Sequence, residues 1–188
     1  MPEQLWWFLA RASGMVTLGA SGGSVIWGLL LSTRIVRRRS LPKWLLDLHR
    51  FLGGLTVAFL ALHITALVAD TFVHFGPADI LVPFHSSWRT VAVAWGVLAT
   101  YLLVAVEATS LLRRRLPKRL WARIHASSFV AFGLSVLHAA TAGTDRSNRL
   151  FVALTFTMCI VVVFLTLVRV LSKTSPPTVG QLRVDRDV

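Results

Sequence analysis

Cysteine is almost absent from this chain of 188 residues, and its scarcity limits the chemistry that the sequence can support. A single cysteine, Cys159, excludes an internal disulfide and also a CxxCH motif for covalent haem attachment. A G-x-G-x-x-G turn is missing as well, so we expect no flavin or nicotinamide to be bound by this chain alone.

Charged residues are also scarce, at 15% of the chain against 55% hydrophobic residues. A typical soluble domain carries about 25% charged residues. The net charge of +12 would suggest nucleic-acid binding in a soluble protein. Here the basic residues cluster in loops that flank apolar segments, so we expect a lipid bilayer as partner and no nucleic acid.

Apolar runs near the length of about 20 residues that a membrane-spanning helix needs occur five times. They cover residues 5–31, 45–73, 88–112, 120–140 and 150–171. We therefore predict an all-α integral membrane bundle of five transmembrane helices, with one domain over residues 5–171. The polar tail 172–188 is predicted to be disordered and cytoplasmic. The first run follows no basic stretch, so we expect a retained span rather than a cleaved signal peptide.

The basic residues are divided unevenly among the connections. The first connection, the third connection and the C-terminal end hold 15 of the 20: Arg34, Arg37, Arg38, Arg39, Lys43, Arg113, Arg114, Arg115, Lys118, Arg119, Arg123, Arg169, Lys173, Arg183 and Arg186. The second connection, residues 74–87, has none, and the fourth has only Arg146 and Arg149. The positive-inside rule then predicts an outside N-terminus and a cytoplasmic C-terminus. We expect the membrane to be a bacterial inner membrane.

Four histidines lie inside the apolar segments, in two pairs. His49 and His63 are 14 residues apart in the second segment, and His125 and His138 are 13 apart in the fourth. Ionisable side chains at membrane depth usually mark a working site, and neutral imidazole is a good iron ligand. Both segments are predicted to run outward from the cytoplasm. We therefore predict one haem between His49 and His125, the inner pair, and another between His63 and His138, the outer pair.

The spacing fits the second helix better than the fourth. Fourteen residues span about 21 Å and fall roughly 40° short of full register, so His49 and His63 share a face. Thirteen residues leave His125 and His138 roughly 140° apart, which different rotamers, a helix tilt or a distortion near Gly133 would have to compensate. The alternative is that the histidines bond neighbouring helices or carry protons, as in a transporter or structural membrane protein.

Three arginines are candidate partners of haem propionates. Arg11, early in the first segment, either pairs with a propionate of the outer haem or extends to the membrane surface. Arg50 and Arg123 flank the inner histidines and either bind the inner propionates or simply follow the positive-inside rule.

Other polar residues allow two interpretations each. His74 and His85 lie in the connection that also holds Asp79. They either have a function, in capturing a metal substrate or docking a redox partner, or are only solvated. Glu107 is either a proton acceptor for a quinone headgroup or a carboxylate that extends to the basic loop. Trp121 is interpreted, with the tryptophans at other span ends, as an interface anchor.

The sequence also contains two similar segments. Residues 37–50, RRRSLPKWLLDLHR, resemble residues 113–125, RRRLPKRLWARIH. In both, a basic loop ends in Leu-Pro-Lys and a helix with a histidine pair begins.

These motifs resemble the ferric reductase-like transmembrane domain family, which includes the membrane part of NADPH oxidases and the haem subunit of the periplasmic methionine sulfoxide reductase system. The similarity covers roughly residues 5–170 and rests on the two histidine spacings and on short motifs. The motifs are WFLARASG from Trp7 to Gly14, LHRFLG around His49, VPF at Val82–Phe84, WARIH ending at His125, and AGTD at Ala142–Asp145 after His138.

The resemblance implies two b-type haems, His49, His63, His125 and His138 as iron ligands, and electron transfer across the membrane. It implies ferric iron or a partner redox protein as the extracytoplasmic acceptor, and quinol or a separate flavoprotein as the donor. The chain is then an oxidoreductase or the electron-transfer subunit of one. A haem-binding anchor subunit of a multi-chain oxidoreductase and a non-haem membrane protein are the alternatives.

Overall fold

A computed structural model of the chain describes residues 2–33, 43–71 and 73–174. These residues form helices and connecting turns, with no β-strand among them. The helices are α1 Pro2–Ser32, α2 Lys43–Ala69, α3 Pro77–Leu81, α4 Thr90–Leu111, α5 Lys118–Ala126, α6 Ser128–Ala142 and α7 Arg149–Thr174. Counting α5 and α6 as one span, five helical segments are long and apolar enough to cross a membrane. The predicted all-α fold with five spans is confirmed.

Several boundaries differ from the prediction. Helix α2 ends at Ala69, four residues before the predicted end, and the Asp70 N–H closes its last turn on the Ala66 carbonyl at 2.9 Å. Helix α7 continues past residue 171 to Thr174. Residues 34–42, with four of the five basic residues of the first connection, and residues 175–188 of the predicted disordered tail lie outside the described part.

The fourth span is broken at Ser127, between its two histidines. The Ser127 N–H bonds the Ile124 carbonyl at 3.0 Å, three residues back, and the Ser127 hydroxyl donates to the same oxygen at 2.6 Å. Such a three-residue turn is tighter than an α-helical turn. The break separates His125 on α5 from His138 on α6, so they need not keep the register of one ideal helix. It lies at Ser127 and not near Gly133, where a distortion was suggested.

The spans assemble as two hairpins with α7 packed beside them. Helices α1 and α2 form the first hairpin, and helices α4, α5 and α6 form the second. Small side chains at the contacts, such as the fully buried Ala66, Ala94 and Ala131, let the helices approach closely. A core cluster joins α1 to α6 and α7, and its buried members are Leu18, Leu29, Phe132, Val162 and Leu165.

Candidate functional site

The structure brings the four intramembrane histidines together in two pairs. The ring centres of His49 and His125 are 6.0 Å apart, and those of His63 and His138 are 6.4 Å apart. A histidine nitrogen binds a metal at about 2.0–2.1 Å and lies roughly 1.1 Å from its ring centre, so two imidazoles on opposite sides of one metal have centres about 6.3 Å apart. The ring-centre separation of each pair is therefore compatible with two histidines on one metal.

Hydrogen bonds to neighbouring helices fix the tautomer of three of these rings. The Nδ1 atoms of His63, His138 and His49 lie 2.7, 2.8 and 3.1 Å from main-chain carbonyls. A carbonyl oxygen can only accept, so Nδ1 carries the proton and the lone pair of Nε2 stays available for a metal. Metal-binding histidines commonly donate their second nitrogen in this way, which orients the ring and raises its basicity.

A glycine makes each of these hydrogen bonds sterically accessible. In all three cases it follows the accepting carbonyl by four residues, so it lies one turn further along the same helix face. The carbonyl–glycine pairs are Ala10 with Gly14 for His63, Ser24 with Gly28 for His49, and Ala92 with Gly96 for His138. A β-carbon would lie 3.1 Å from the His63 ring at Gly14, 3.1 Å from the His49 ring at Gly28, and 2.8 Å from the His138 ring at Gly96. The absent side chains provide the space for the rings.

The fourth histidine has a different support. The Nδ1 atom of His125 lies 3.4 Å from the hydroxyl oxygen of Ser110 on α4. Ser110 follows Gly96 by 14 residues, as Gly28 follows Gly14. Sequence reasoning missed these supporting residues, although their 14-residue spacing equals that of His49 and His63 and would have indicated them.

A largely apolar cavity of about 300 Å³ adjoins the outer pair. His63 and His138 line it, together with Arg11, Asp70 and Asp145. Arg11, a predicted propionate partner, forms two hydrogen bonds to the Asp145 carboxylate, one of them 2.9 Å long from Nε to Oδ2. Its guanidinium also lies 4.1 Å from the centre of the Trp7 ring. Arg11 is therefore already paired within the chain at the edge of this cavity.

The inner pair has an aromatic neighbour. Trp121 stacks on His125 with ring centres 5.0 Å apart, and the Arg113 guanidinium lies 4.6 Å above Trp121. The indole Nε1 of Trp121 is buried without a hydrogen-bond partner in the described part of the chain. A buried donor of this kind is costly unless a ligand or water accepts from it. Trp121 was interpreted only as an interface anchor, so this position beside His125 adds to the sequence analysis.

The two arginines predicted beside the inner pair are exposed. Arg50 forms a 3.4 Å ion pair with Asp47, and Arg123 lies in the last turn of α5. Neither arrangement distinguishes propionate binding from the positive-inside rule, so a contact of these arginines with the propionates of an inner haem stays a prediction.

The remaining polar residues do not assemble into a metal site. His85 bonds Asp79 at 3.0 Å, and this hydrogen bond holds the pKa of the Asp79 carboxyl below its usual value. His74 is exposed, and the Glu107 carboxylate packs over Gly53 of α2. No cluster of three or more metal-binding side chains occurs within residues 2–33, 43–71 and 73–174.

Comparison with known families agrees with this arrangement. The model of the ferric reductase like transmembrane component family matches residues 20–136. The match spans His49, His63 and His125 and stops two residues before His138. No curated protein and no solved structure matches the chain significantly. The family is one of membrane redox components, and its likeness indicates transmembrane electron transfer in general. Because the match covers more than half of the sequence, the chain belongs to the ferric reductase-like transmembrane family.

Proposed function

We propose that this chain passes electrons across a membrane through two b-type haems, one bound by the inner pair and one by the outer pair. The proposal rests on how the histidine rings are hydrogen-bonded and how far apart they lie. Three of the four use Nδ1 to bond a main-chain carbonyl, and each pair has the ring separation of two ligands on one iron. Histidines that only joined helices would not need both features.

Haem, when bound, supplies iron that alternates between ferric and ferrous states and so takes up and releases single electrons. The chain's own residues hold the ligand rings in place through hydrogen bonds to Nδ1. At the inner pair, the buried Trp121 N–H supports a carboxylate-bearing ligand, because a propionate oxygen would accept its hydrogen bond. At the outer pair, a propionate would have to share Arg11 with Asp145.

The proposed direction follows from the charges. With the basic loops in the cytoplasm, electrons enter at the inner pair from a cytoplasmic or quinol donor. They leave at the outer pair toward ferric iron or a partner redox protein outside a bacterial inner membrane. Reporter fusions near Arg114 should give a cytoplasmic signal, and fusions near Pro83 an external one. The opposite result would reverse the proposed direction.

The direct test is the visible spectrum of the purified protein, reduced minus oxidised, together with a haem determination per chain. We expect two low-spin b-type haems. A chain without haem would support the transporter or structural alternative, and a single haem would eliminate one of the two sites.

Electron transfer is tested in sealed vesicles. After chemical reduction, a ferric chelate supplied only on the side of the Pro83 connection should reoxidise both haems. Reoxidation of one haem alone would show that the two are not connected. We expect no NADPH oxidation unless a flavoprotein is added, and oxidation without one would contradict the partner-dependent donor.

The role of Trp121 has its own test. Trp121→Phe keeps an aromatic ring beside His125 but removes the N–H, so the inner haem should be bound more weakly while the outer haem is retained. Trp44→Phe, at an exposed tryptophan of α2, is the control. An unchanged inner haem in the Trp121 variant would show that its N–H does not contact the group.

A further inference from the structure

The connection between α2 and α4 carries an exposed apolar cluster. Leu81, Val82 and Phe84, here called the tip, are 57%, 49% and 58% exposed. Phe84 also has a φ of 67°, which is unusual for a bulky residue. A contiguous apolar surface of this kind usually faces a partner or a membrane.

A side chain of α4 shows how deep the tip lies. The Tyr101 hydroxyl donates a hydrogen bond to the Leu81 carbonyl. Tyr101 follows Thr90, the first residue of α4, by 11 residues, which corresponds to about 16 Å along the helix axis. Half of the hydrocarbon core measures about 15 Å. Tyrosine leans toward the start of its helix, so the Leu81 carbonyl lies between the membrane surface and the midplane.

The exposure of α4 changes at the same depth. Ala94, Val97, Tyr101 and Val104 follow one another at helical spacing on one stripe. Ala94 and Val97 are 0% and 6% exposed, whereas Tyr101 and Val104 are 47% and 50% exposed. Helix α3, which ends at Leu81 of the tip, packs against α4. The connection thus lies along the first half of a transmembrane helix and does not extend away from it.

Several polar groups of the connection are hydrogen-bonded, either within it or, like the Leu81 carbonyl, to α4. The Asp79 carboxylate accepts from the Gly76 N–H at 2.9 Å and from His85 Nδ1 at 3.0 Å, which joins the two ends of the segment at a neck. The Val82 N–H bonds the Ala78 carbonyl at 2.8 Å. Internal satisfaction of backbone groups is what non-helical chain at membrane depth requires.

We infer that residues 76–85 form a re-entrant segment whose tip is inserted among the acyl chains of the leaflet next to the outer pair. Its neck, with Asp79 and His85, lies at the membrane surface. Asp79 and Ile80 of the segment line the cavity of the outer pair, together with Phe75 and Trp88 on either side of the segment. The segment thus forms a wall between that cavity and lipid. The inference does not depend on haem or on the proposed function.

Spin-label accessibility in lipid vesicles tests this placement. The single cysteine allows a Cys159→Ala background, in which Leu81→Cys, Val82→Cys and Phe84→Cys each receive a nitroxide. Val104→Cys, exposed on the lipid face of α4, is the lipid control, and Ser87→Cys, exposed beyond the neck, is the aqueous control. All five positions are exposed, so no buried contact is lost. Collisions with oxygen report lipid, and collisions with a water-soluble nickel complex report water.

We expect the tip labels to behave like Val104, with frequent oxygen collisions and loss of the nickel collisions seen at Ser87. Frequent nickel collisions at the tip would overturn the inference, because they would place the segment in water. Low accessibility to both reagents would also overturn it, because a second copy of the chain or another protein would then cover the tip.

Discussion

The two hairpins of the bundle have the same arrangement of elements. They differ in one residue that contacts a histidine ring and in one break within a histidine-bearing helix. Each combines a supporting helix, a basic connection and a histidine-bearing helix. In the first hairpin, Gly14 and Gly28 lie against the two rings, and α2 is continuous. In the second hairpin, Gly96 has Ser110 as its counterpart, and the histidine-bearing span is broken at Ser127.

The hydrogen bonds of the histidine rings differ between the inner and the outer pair. Both outer rings bond main-chain carbonyls, at 2.7 and 2.8 Å, whereas the inner rings have partners at 3.1 and 3.4 Å. Stronger donation from Nδ1 makes a ligand more basic and favours the ferric state. We therefore expect the outer haem to have the lower reduction potential. The basic residues near the inner pair and Asp70 near the outer pair act in the same direction, whereas Asp145 is paired with Arg11 and adds no net charge.

The largest effect is expected at Gly96. In Gly96→Ala the new β-carbon would lie 2.8 Å from His138, too close for any ordinary contact, so the ring must move. We expect the affinity for the outer haem to fall by about 10–100-fold, measured by haem titration of the apoprotein. Gly133→Ala on α6, where nothing lies within 4 Å, is the matched control. Equal haem binding in the two variants would contradict the supporting role of Gly96.

A smaller effect is expected in the first hairpin. Gly14→Ala and Gly28→Ala place a β-carbon 3.1 Å from His63 and His49, a distance that a small ring shift can relieve. Each substitution should weaken one haem, the outer for Gly14 and the inner for Gly28, by less than Gly96→Ala does. Spectral redox titration distinguishes the two haems, and Gly19→Ala on the same helix is the control. Weakening of the same haem in both variants would contradict the assignment by depth.

The smallest effect is expected at Ser110. Ser110→Ala removes a weak hydrogen bond worth about 1 kcal/mol or less, which corresponds to roughly 40 mV or less for one electron. Because the ligand becomes less basic, the potential of the inner haem should rise while the outer haem stays unchanged. Thr109→Ala is the control, since that hydroxyl bonds the Ala105 carbonyl of its own helix. A lowered inner potential would show that Ser110 acts in another way.

Much of this arrangement could be predicted, because the sequence of a membrane helix indicates its length and the depth of its residues in the membrane. The five spans follow from apolar runs, and the pairing of His49 with His125 and of His63 with His138 follows from spacing and direction. The carbonyl–glycine pairs could also have been predicted, since the separation of Gly14 from Gly28 equals that of the histidines they face.

Other features depend on contacts that no local pattern encodes. The Ser127 break has neither proline nor glycine at its centre. The Arg11–Asp145 pair joins residues 134 positions apart. The connection before α4 was interpreted as an ordinary outer loop, because its packing against α4 depends on the Tyr101 hydrogen bond and on the burial of Ala94.

The most direct test of the two-haem account is the haem content of double histidine variants. His49→Ala with His125→Ala removes both ligands of one proposed site, so the protein should keep one haem, the outer. His63→Ala with His138→Ala should keep only the inner haem. His49→Ala with His63→Ala removes one ligand from each site and should lose both low-spin haems. The account would be contradicted if the variants within a pair lost both haems, or if the variant across the pairs kept one.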